Sequence, residues 1–339
     1  MVSIDRKANN MSEIAILLAT YNGEQYIQEL AESLRGQTCQ DYICYIHDDG
    51  STDGTSVKIN EIIMRDPEHF QRLDYPSTGS AKANFLSMLT KVEAPYYMFC
   101  DQDDVWMPDK VEKTLQAMKD TRANGWVKAP QIDVTENRDQ KDHEKPRCVF
   151  TDMYVTDAKL QITEQSFIRH LQRDPYHLNY GRIMMENPAA GCTMMINQAL
   201  KECVLQYQEL DHIEMHDVWM LAAAAVCGYI YYVDEPTVYY RQHGENEMGA
   251  SIETRNQRIL RNIKDLLDGT FGANKKAYYQ HAIYLARELL HVQEVPKEMR
   301  EELEMFAGIE SMSKWKRIRF YQKHDISRNR HNLWTLLWV

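Results

Sequence analysis

Three aspartates lie within four positions of the chain, at Asp101, Asp103 and Asp104. The aromatic and apolar run before them, residues 96–99, predicts a strand that is buried on both faces. Carboxylates crowded at the end of such a strand repel one another and lose hydration, so they need a cation or several hydrogen-bond donors. Oxygen ligands in this pattern suit Mg²⁺ or Mn²⁺ and leave coordination positions for phosphate oxygens. A solvated acidic loop that caps the helix beginning near Pro108 is the alternative, and the cluster alone does not decide between them.

These aspartates belong to a series of alternating strands and helices. Apolar strands are predicted at residues 14–18 and 43–46, and each is followed by a polar turn and a helical pattern. This alternation predicts an α/β fold with a mostly parallel sheet flanked by helices. Ligands collect at the carboxyl ends of parallel strands, and Thr20, Asp48 and Asp101 all fall at such ends. We therefore expect one site along this edge of the sheet.

Five ordered motifs extend the pattern. They are Thr-Tyr-Asn at 20–22, Asp-Asp-Gly-Ser-Thr-Asp-Gly-Thr at 48–55, Asp-Gln-Asp-Asp-Val-Trp at 101–106, His-Asp at 216–217 and Gln-His-Gly-Glu-Asn at 242–246. Together they resemble glycosyltransferase family 2, the inverting enzymes with a Rossmann-like GT-A fold. The third and fifth motifs look most like the rhamnosyltransferase-type branch, which builds bacterial cell-surface polysaccharides.

The resemblance implies a nucleotide-sugar donor held by the first strands. Asp48 is expected to accept a hydrogen bond from the imide N–H of uracil or thymine, with a turn-forming role as the alternative. Tyr21 is expected either to stack on the base or to pack against the fold. Lys82 and Asn84 match a basic residue and an asparagine that the family usually has near the nucleoside. A lysine that is merely solvated is the alternative for Lys82. The full set expected at the donor nucleotide is Thr20, Tyr21, Asn22, Glu24, Asp48, Asp49, Lys82, Asn84, Asp101 and Gln102.

A divalent cation, Mn²⁺ or Mg²⁺, is the cofactor that the resemblance implies. Such a cation bridges the two phosphates of the donor and stabilises the leaving group as a Lewis acid. Asp103 is expected to be a direct ligand, and Asp101 to face the ribose or a metal-bound water. His243 is expected to close over the diphosphate as a further ligand. Asp104 is expected either to support the site from behind or to cap a helix.

Inversion needs a base that removes the acceptor proton while the acceptor oxygen attacks from the face opposite the leaving group. The resemblance assigns this role to Asp217, and general-base catalysis typically contributes about 10²–10⁴-fold. A role as N-cap of the following helix is the alternative. The residues expected on the acceptor side are Gly191, Cys192, His216 and Trp219.

The length of 339 residues suits one large domain with an appendage. Residues 1–247 are predicted to form the GT-A domain, with a polar insertion at 121–147, and residues 248–339 a helical C-terminal region. Residues 311–339 carry seven Lys or Arg and a single acid, interleaved with aromatic side chains. This basic tail fits either an anionic membrane surface or a domain-docking or oligomer helix with a solvated basic face.

Charge and cysteine content narrow the class of protein further. The net charge of −11 argues against a nucleic-acid binder, whose affinity comes largely from neutralising phosphates. The seven scattered cysteines show no Cys-x-x-Cys spacing and fit reduced thiols. The reduced thiols lead us to expect a cytoplasmic protein, and the basic tail leads us to expect a peripheral position at the inner face of the plasma membrane.

The resulting hypothesis is a metal-dependent inverting glycosyltransferase. It would move L-rhamnose from dTDP-rhamnose onto a cell-surface polysaccharide or a lipid-linked glycan. The alternative within the family uses UDP-GlcNAc, UDP-galactose or another nucleotide sugar. A nucleotidyltransferase would be expected to have a Gly-rich phosphate loop with a basic residue after the first strand, and residues 20–24 lack both. A non-catalytic glycan-binding protein is a third possibility, against which the presence of Asp103 and Asp217 argues.

Overall fold

The computed structural model describes residues 12–120, 127–128, 145–207, 212–243, 260, 264–265, 267–268 and 271–326. Most of the predicted insertion, the Gly-Glu-Asn end of the fifth motif and the tail beyond Ile326 lie outside the described residues.

Strands and helices alternate in the N-terminal part of the chain. They are β1 (Ile14–Thr20), α1 (Ile27–Arg35), β2 (Tyr42–Asp48), α2 (Thr55–Arg65), β3 (Phe70–Arg72), α3 (Ala81–Lys91) and β4 (Tyr96–Asp101). The strands lie in the order β3–β2–β1–β4, and all neighbours run parallel. The parallel α/β arrangement predicted for this part is confirmed.

Burial explains why these segments form strands and helices. β1 is a continuous apolar run, and its first five residues have no exposed surface because both faces of the strand are covered. α1 is amphipathic and buries one face only, at a spacing of three and four residues. The residues of that face are Ile27, Leu30, Ala31 and Leu34.

The register of the strands brings the polar strand ends together. Thr20 of β1 pairs with Asp48 of β2, and Ala19 pairs with Asp101 of β4. Thr20, Asp48 and Asp101 therefore emerge at one edge of the sheet.

The remaining strands make the sheet mixed. They are β5 (Val105–Trp106), β6 (Val127–Lys128), β7 (Arg147–Thr156), β8 (Ile162–Glu164), β9 (Met194–Asn197) and β10 (Tyr229–Arg241). β9 lies antiparallel between β4 and β7, and β10 runs parallel to β7. The order along the sheet is β3–β2–β1–β4–β9–β7–β10–β5, with β6 on β10 and β8 on β7. The run of adjacent parallel strands thus ends at β4, and parallel pairing recurs between β7 and β10.

Helices cover both faces of the sheet. The later ones are α4 (Lys110–Lys119), α5 (Phe167–His170), α6 (Tyr180–Met185), α7 (Gln198–Leu205), α8 (His216–Cys227), α9 (Phe271–Leu289), α10 (Lys297–Ala307) and α11 (Lys314–Lys323). One hydrophobic cluster joins Ile16 of β1 to α1, α2 and α4. The other joins Leu17 to α3, α6, α7 and α8, and α9, α10 and α11 pack into this second cluster.

The C-terminal helices confirm helical structure where residues 271–326 are described. The predicted domain boundary at residue 247 falls outside the described residues and stays a prediction. In the part of the chain that the structure describes, no helix combines the length and the apolar character needed to cross a bilayer.

Candidate active site

The loops after β1 and β2 are tied together by side-chain hydrogen bonds. Asn22, in the left-handed region at φ 49°, accepts a hydrogen bond from the Thr52 backbone through Oδ1 at 2.8 Å. Glu24 accepts from the Gly54 backbone at 2.9 Å. Thr20 donates from Oγ1 to the His47 carbonyl at 3.3 Å. Thr20, Asn22 and Glu24 therefore shape the loops at the predicted donor edge.

The two aspartates that follow β2 differ in their hydrogen bonding. Asp48 accepts from the backbone N–H and the hydroxyl of Ser51 through Oδ1 alone, and no hydrogen bond to Oδ2 is seen among the described residues. Asp49 uses both oxygens, accepting from Thr78 through Oδ1 and from the Gly79 backbone through Oδ2 at 2.9 Å. Asp48 thus combines the predicted turn-forming role with an oxygen available to a ligand, whereas Asp49 holds a neighbouring loop.

Lys82 and Asn84, on α3, also make internal contacts. Asn84 is 1% exposed and pairs through Oδ1 with Nδ1 of His47 at 2.8 Å. Lys82 donates to the Ile213 carbonyl at 2.7 Å, which joins α3 to the segment before α8. In this conformation Asn84 is buried against His47, near the end of β2, and does not face a ligand.

The third motif forms a turn directly after β4. The Gln102 amide accepts from the backbone N–H of Tyr21 at 2.9 Å and donates to its carbonyl at 2.7 Å, so it clamps the first donor loop. The Tyr21 side chain is 56% exposed, which leaves its ring open to stacking. Asp103 and His243 meet across the sheet, with Oδ2 and Nε2 2.7 Å apart and each side chain 14% exposed. The structure therefore brings the predicted metal residues Asp103 and His243 into contact.

Asp104 lies behind this pair. Its side chain is fully buried, and Oδ1 accepts from the backbone of Arg241 at 3.3 Å. Burial, followed by the Asp103 and Asp101 carboxylates, raises the pKa of Asp104 well above its usual value. The N-cap residue of α4 is Asp109, so Asp104 does not cap that helix.

The possible metal ligands around Asp101 form two groups, one with Asp104 and Cys192 and the other with Asp103 and His243. Only the second group suits Mn²⁺ or Mg²⁺. Asp101, Asp104 and Cys192 have ligand atoms within 4.8 Å of one another. Burial raises the pKa of the Cys192 thiol, which stays protonated and is a poor ligand for a hard cation. Carboxylate oxygen and imidazole nitrogen are suitable ligands. Asp103 and His243, with Asp101 two residues before Asp103 at the end of β4, therefore fit a divalent cation.

Asp217 lies in the first turn of α8 and is half-buried. The N-cap residue of α8 is Met215, so the alternative N-cap role for Asp217 is wrong. Its carboxylate accepts from the Val218 backbone at 2.7 Å. Burial raises its pKa to about 6, opposed by hydrogen bonds from the Val218 and Gly191 backbones and by the positive charge of Arg173. A carboxylate with this pKa is ionised at neutral pH and can accept a proton.

The residues expected on the acceptor side differ in their burial and in their hydrogen bonds. His216 is 3% exposed, packs on Phe85 and Phe99, and neither ring nitrogen has a hydrogen-bond partner among the described residues. Burial lowers the pKa of His216 to about 3, so the ring is neutral. Trp219 is fully buried, and its indole N–H donates to the Val204 carbonyl. A side chain without exposed surface does not touch an acceptor, so Trp219 packs the core in this conformation.

The turn Gly191–Thr193 connects the two parts of the site. Its Gly191 backbone donates to Asp217, and the Sγ of Cys192 lies within 4.8 Å of the carboxylates of Asp101 and Asp104. Gly191 also has to be a glycine, because a Cβ there would come within 2.5 Å of Nε2 of His216. This turn thus brings Asp217 to the edge where the third motif lies.

Sequence reasoning did not assign roles to Arg241 or Arg173. Arg241 precedes the fifth motif directly, within Tyr-Tyr-Arg-Gln-His, and its proximity to the motif is the signal that could have identified it. Arg173 lies in a loop without a motif, so no local signal marks it.

Comparisons with known proteins show which family the chain belongs to. Residues 15–188 match the model of glycosyl transferase family 2. A dTDP-rhamnosyl transferase, RfbG of Shigella flexneri, is 26% identical over 259 residues, which is 69% of this chain and 74% of that protein. A teichoic acid poly(glycerol phosphate) polymerase of Staphylococcus epidermidis is 36% identical over 95 residues, 28% of this chain, and the match spans 13% of that polymerase.

Among solved structures, residues 1–349 of S. aureus TarS in complex with UDP-GlcNAc share the fold. The TM-score is 0.53 at 15% sequence identity, over 92% of this chain and 80% of that one. The family match covers β1 to β4 and the third motif. This chain belongs to glycosyltransferase family 2, and it is a glycosyltransferase with a GT-A fold.

Proposed function

We propose that the enzyme is an inverting, metal-dependent glycosyltransferase that moves L-rhamnose from dTDP-rhamnose onto a cell-surface polysaccharide or lipid-linked glycan. The turn Gly191–Thr193 is the observation that carries the proposal, because Gly191 donates to the carboxylate of Asp217 and the Sγ of Cys192 lies within 4.8 Å of the carboxylates of Asp101 and Asp104 in the third motif. The similarity to a dTDP-rhamnosyl transferase over 69% of this chain supports the choice of donor.

Each residue then has a step in the reaction. Asp217 takes the proton of the acceptor hydroxyl, whose oxygen attacks the anomeric carbon as the bond to the nucleoside diphosphate breaks on the opposite face. Asp103 and His243 would hold the divalent cation, and Asp101 would face the ribose or a water on the cation. The cation supplies Lewis-acid stabilisation of the diphosphate when bound. Asp48 accepts the imide N–H of the base through Oδ2, and Tyr21 stacks on the base.

A donor screen with product analysis tests this proposal. The purified enzyme is incubated in Mn²⁺ with a glycan acceptor and with dTDP-rhamnose, UDP-GlcNAc or UDP-galactose. We expect transfer from dTDP-rhamnose alone, with the anomeric configuration of the product opposite to that of the donor. Transfer from a UDP-sugar instead would replace the proposed donor by the family alternative. Retention of configuration would overturn the inverting mechanism.

We also propose that the catalytic domain comprises residues 1–247, and that the C-terminal region holds the enzyme at the inner face of the plasma membrane. On α11, Trp315 is 75% exposed and its neighbours Lys314, Lys316 and Arg319 are exposed as well. An exposed indole among cations suits an anionic lipid surface. This surface supports the membrane interpretation of the tail over a purely solvated basic face.

Flotation with vesicles tests the membrane proposal. Deletion from residue 311 onward would also remove Phe320, which is buried in the core, so point substitutions are the cleaner test. We expect Trp315→Glu to reduce co-flotation with phosphatidylglycerol vesicles, while Met305→Glu, at another exposed apolar position, leaves it unchanged. Equal flotation of Trp315→Glu and the wild type would contradict the proposal.

A further inference from the structure

Arg241, the last residue of β10, is a buried arginine that joins four segments of the chain. Its side chain is 4% exposed. Nε donates to the Asp103 carbonyl at 2.9 Å, and Nη1 donates to the Ala158 carbonyl at 2.8 Å. Nη2 donates to the Glu29 carboxylate on α1. One planar guanidinium thus fixes the turn that carries Asp103 against α1 and against the loop after β7.

Tyr26 extends this arrangement to His243. The Arg241 guanidinium carbon lies 4.7 Å from the centre of the Tyr26 ring, within the range of a cation–π contact. The His243 ring is 4.9 Å from the Tyr26 ring, with 32° between the planes. Tyr26 therefore touches both Arg241 and His243, which are two residues apart in the chain.

Both partners of the Asp103–His243 contact are consequently held by the same group. Arg241 holds the backbone of Asp103 by a direct hydrogen bond. It restrains His243 because the two residues are two positions apart in the chain and because both contact the Tyr26 ring. Glu29 is 53% exposed, so the buried arginine is paired with a carboxylate that keeps part of its hydration. Removal of such a buried guanidinium would remove the hydrogen bond that Nε donates to the Asp103 carbonyl.

We infer that Arg241 and Tyr26 are positioning residues that set Asp103 and His243 at the spacing of a divalent-cation site. The inference rests on the proposed function, since it takes Asp103 and His243 to be the ligands. Residues that orient metal ligands typically change metal affinity by about 10–100-fold when they are substituted. Arg241→Lys keeps the charge but cannot donate to three acceptors in one plane, so it should not restore affinity.

Titration of the full chain with Mn²⁺ alone, followed by the electron paramagnetic resonance signal of the unbound ion, tests the inference. We expect Arg241→Gln and Arg241→Lys to weaken Mn²⁺ binding about 10–100-fold. Tyr26→Ala should weaken it as well, and Tyr26→Phe, which keeps the ring, should bind like the wild type. Arg169→Gln is the matched control, because Arg169 is 70% exposed and pairs with Asp234 at the surface.

Asp103→Asn in the same assay separates the two proposals. If Asp103→Asn weakens Mn²⁺ binding and the Arg241 and Tyr26→Ala variants do not, the positioning role is overturned and the metal site stands. If Asp103→Asn binds like the wild type, the metal site and the inference fall together. Should Arg241→Gln fail to fold by circular dichroism, Tyr26→Ala tests the inference in its place, because it leaves the arginine in the chain.

Discussion

The donor half of the site and the acceptor half hold their functional side chains in different ways. On the donor side, β1, β2 and β4 end in loops that are joined by short hydrogen bonds, such as those of Asn22 and Gln102. On the acceptor side, Asp217 is half-buried on α8 and His216 lies in an apolar pocket without hydrogen-bond partners among the described residues. The proposed donor half is thus ordered by polar contacts, whereas burial in the proposed acceptor half raises the pKa of the proposed base, Asp217.

The largest expected effect is on the acceptor half. Asp217→Asn keeps the shape of the side chain and removes the proton acceptor, so kcat should fall about 10²–10⁴-fold. Donor affinity, measured by calorimetric titration with the nucleoside diphosphate, should stay unchanged because the donor half is intact. Loss of donor affinity together with kcat would show that the two halves are not separable.

Removal of a proposed metal ligand should affect the donor half first. We expect His243→Ala to weaken Mn²⁺ binding about 10–100-fold and to weaken binding of the nucleoside diphosphate with it. Chelation of the metal in the wild type should abolish transfer, and added Mn²⁺ should restore it. Full activity of the wild type in excess chelator would contradict the metal requirement.

The dependence of kcat/KM on pH tests whether Asp217, with its raised pKa, is the base. Burial raises the pKa of Asp217 to about 6, and the base acts only when it is deprotonated. The value of kcat/KM should therefore rise about tenfold per pH unit below this pKa and level off above it. Arg173→Gln removes a positive charge that lowers the pKa of Asp217, so the rise should move to higher pH. A profile that is flat between pH 5 and pH 8 would exclude Asp217 as the base.

The smallest expected effect is on the loops of the donor half. Asn22→Gly removes the acceptor for the Thr52 backbone without adding strain at φ 49°, and it should lower the free energy of unfolding by about 1 kcal/mol. Asn22→Asp keeps an acceptor oxygen and is the matched control, which should unfold like the wild type in urea. Equal stability of all three proteins would show that this tie does not organise the donor half.

The contrast between polar loop contacts in the donor half and burial in the acceptor half also explains how much of the site the sequence could predict. Thr20, Asp48 and Asp101 were placed together because parallel strands end at one edge, and the register confirms it. Their loops depend on residues close in the chain or on neighbouring strands. The contact of Arg241 with Glu29 joins residues 212 positions apart, and no local pattern indicates it.

The structure of the acceptor half was harder to predict from the sequence, for a further physical reason. The antiparallel insertion of β9 between β4 and β7 depends on pairing between distant segments. Trp219 was expected beside the acceptor, but a tryptophan next to a catalytic motif gives no sequence signal for whether it is exposed or buried.

A crystal structure of the enzyme soaked with Mn²⁺ and dTDP, with the metal located by anomalous scattering, tests the central claim most directly. We predict one strong peak in coordination distance of both Asp103 and His243 and of the diphosphate, with the carboxylate of Asp217 across the turn Gly191–Thr193 from it. A metal bound elsewhere, or a diphosphate in a cleft that Asp217 does not face, would contradict the account.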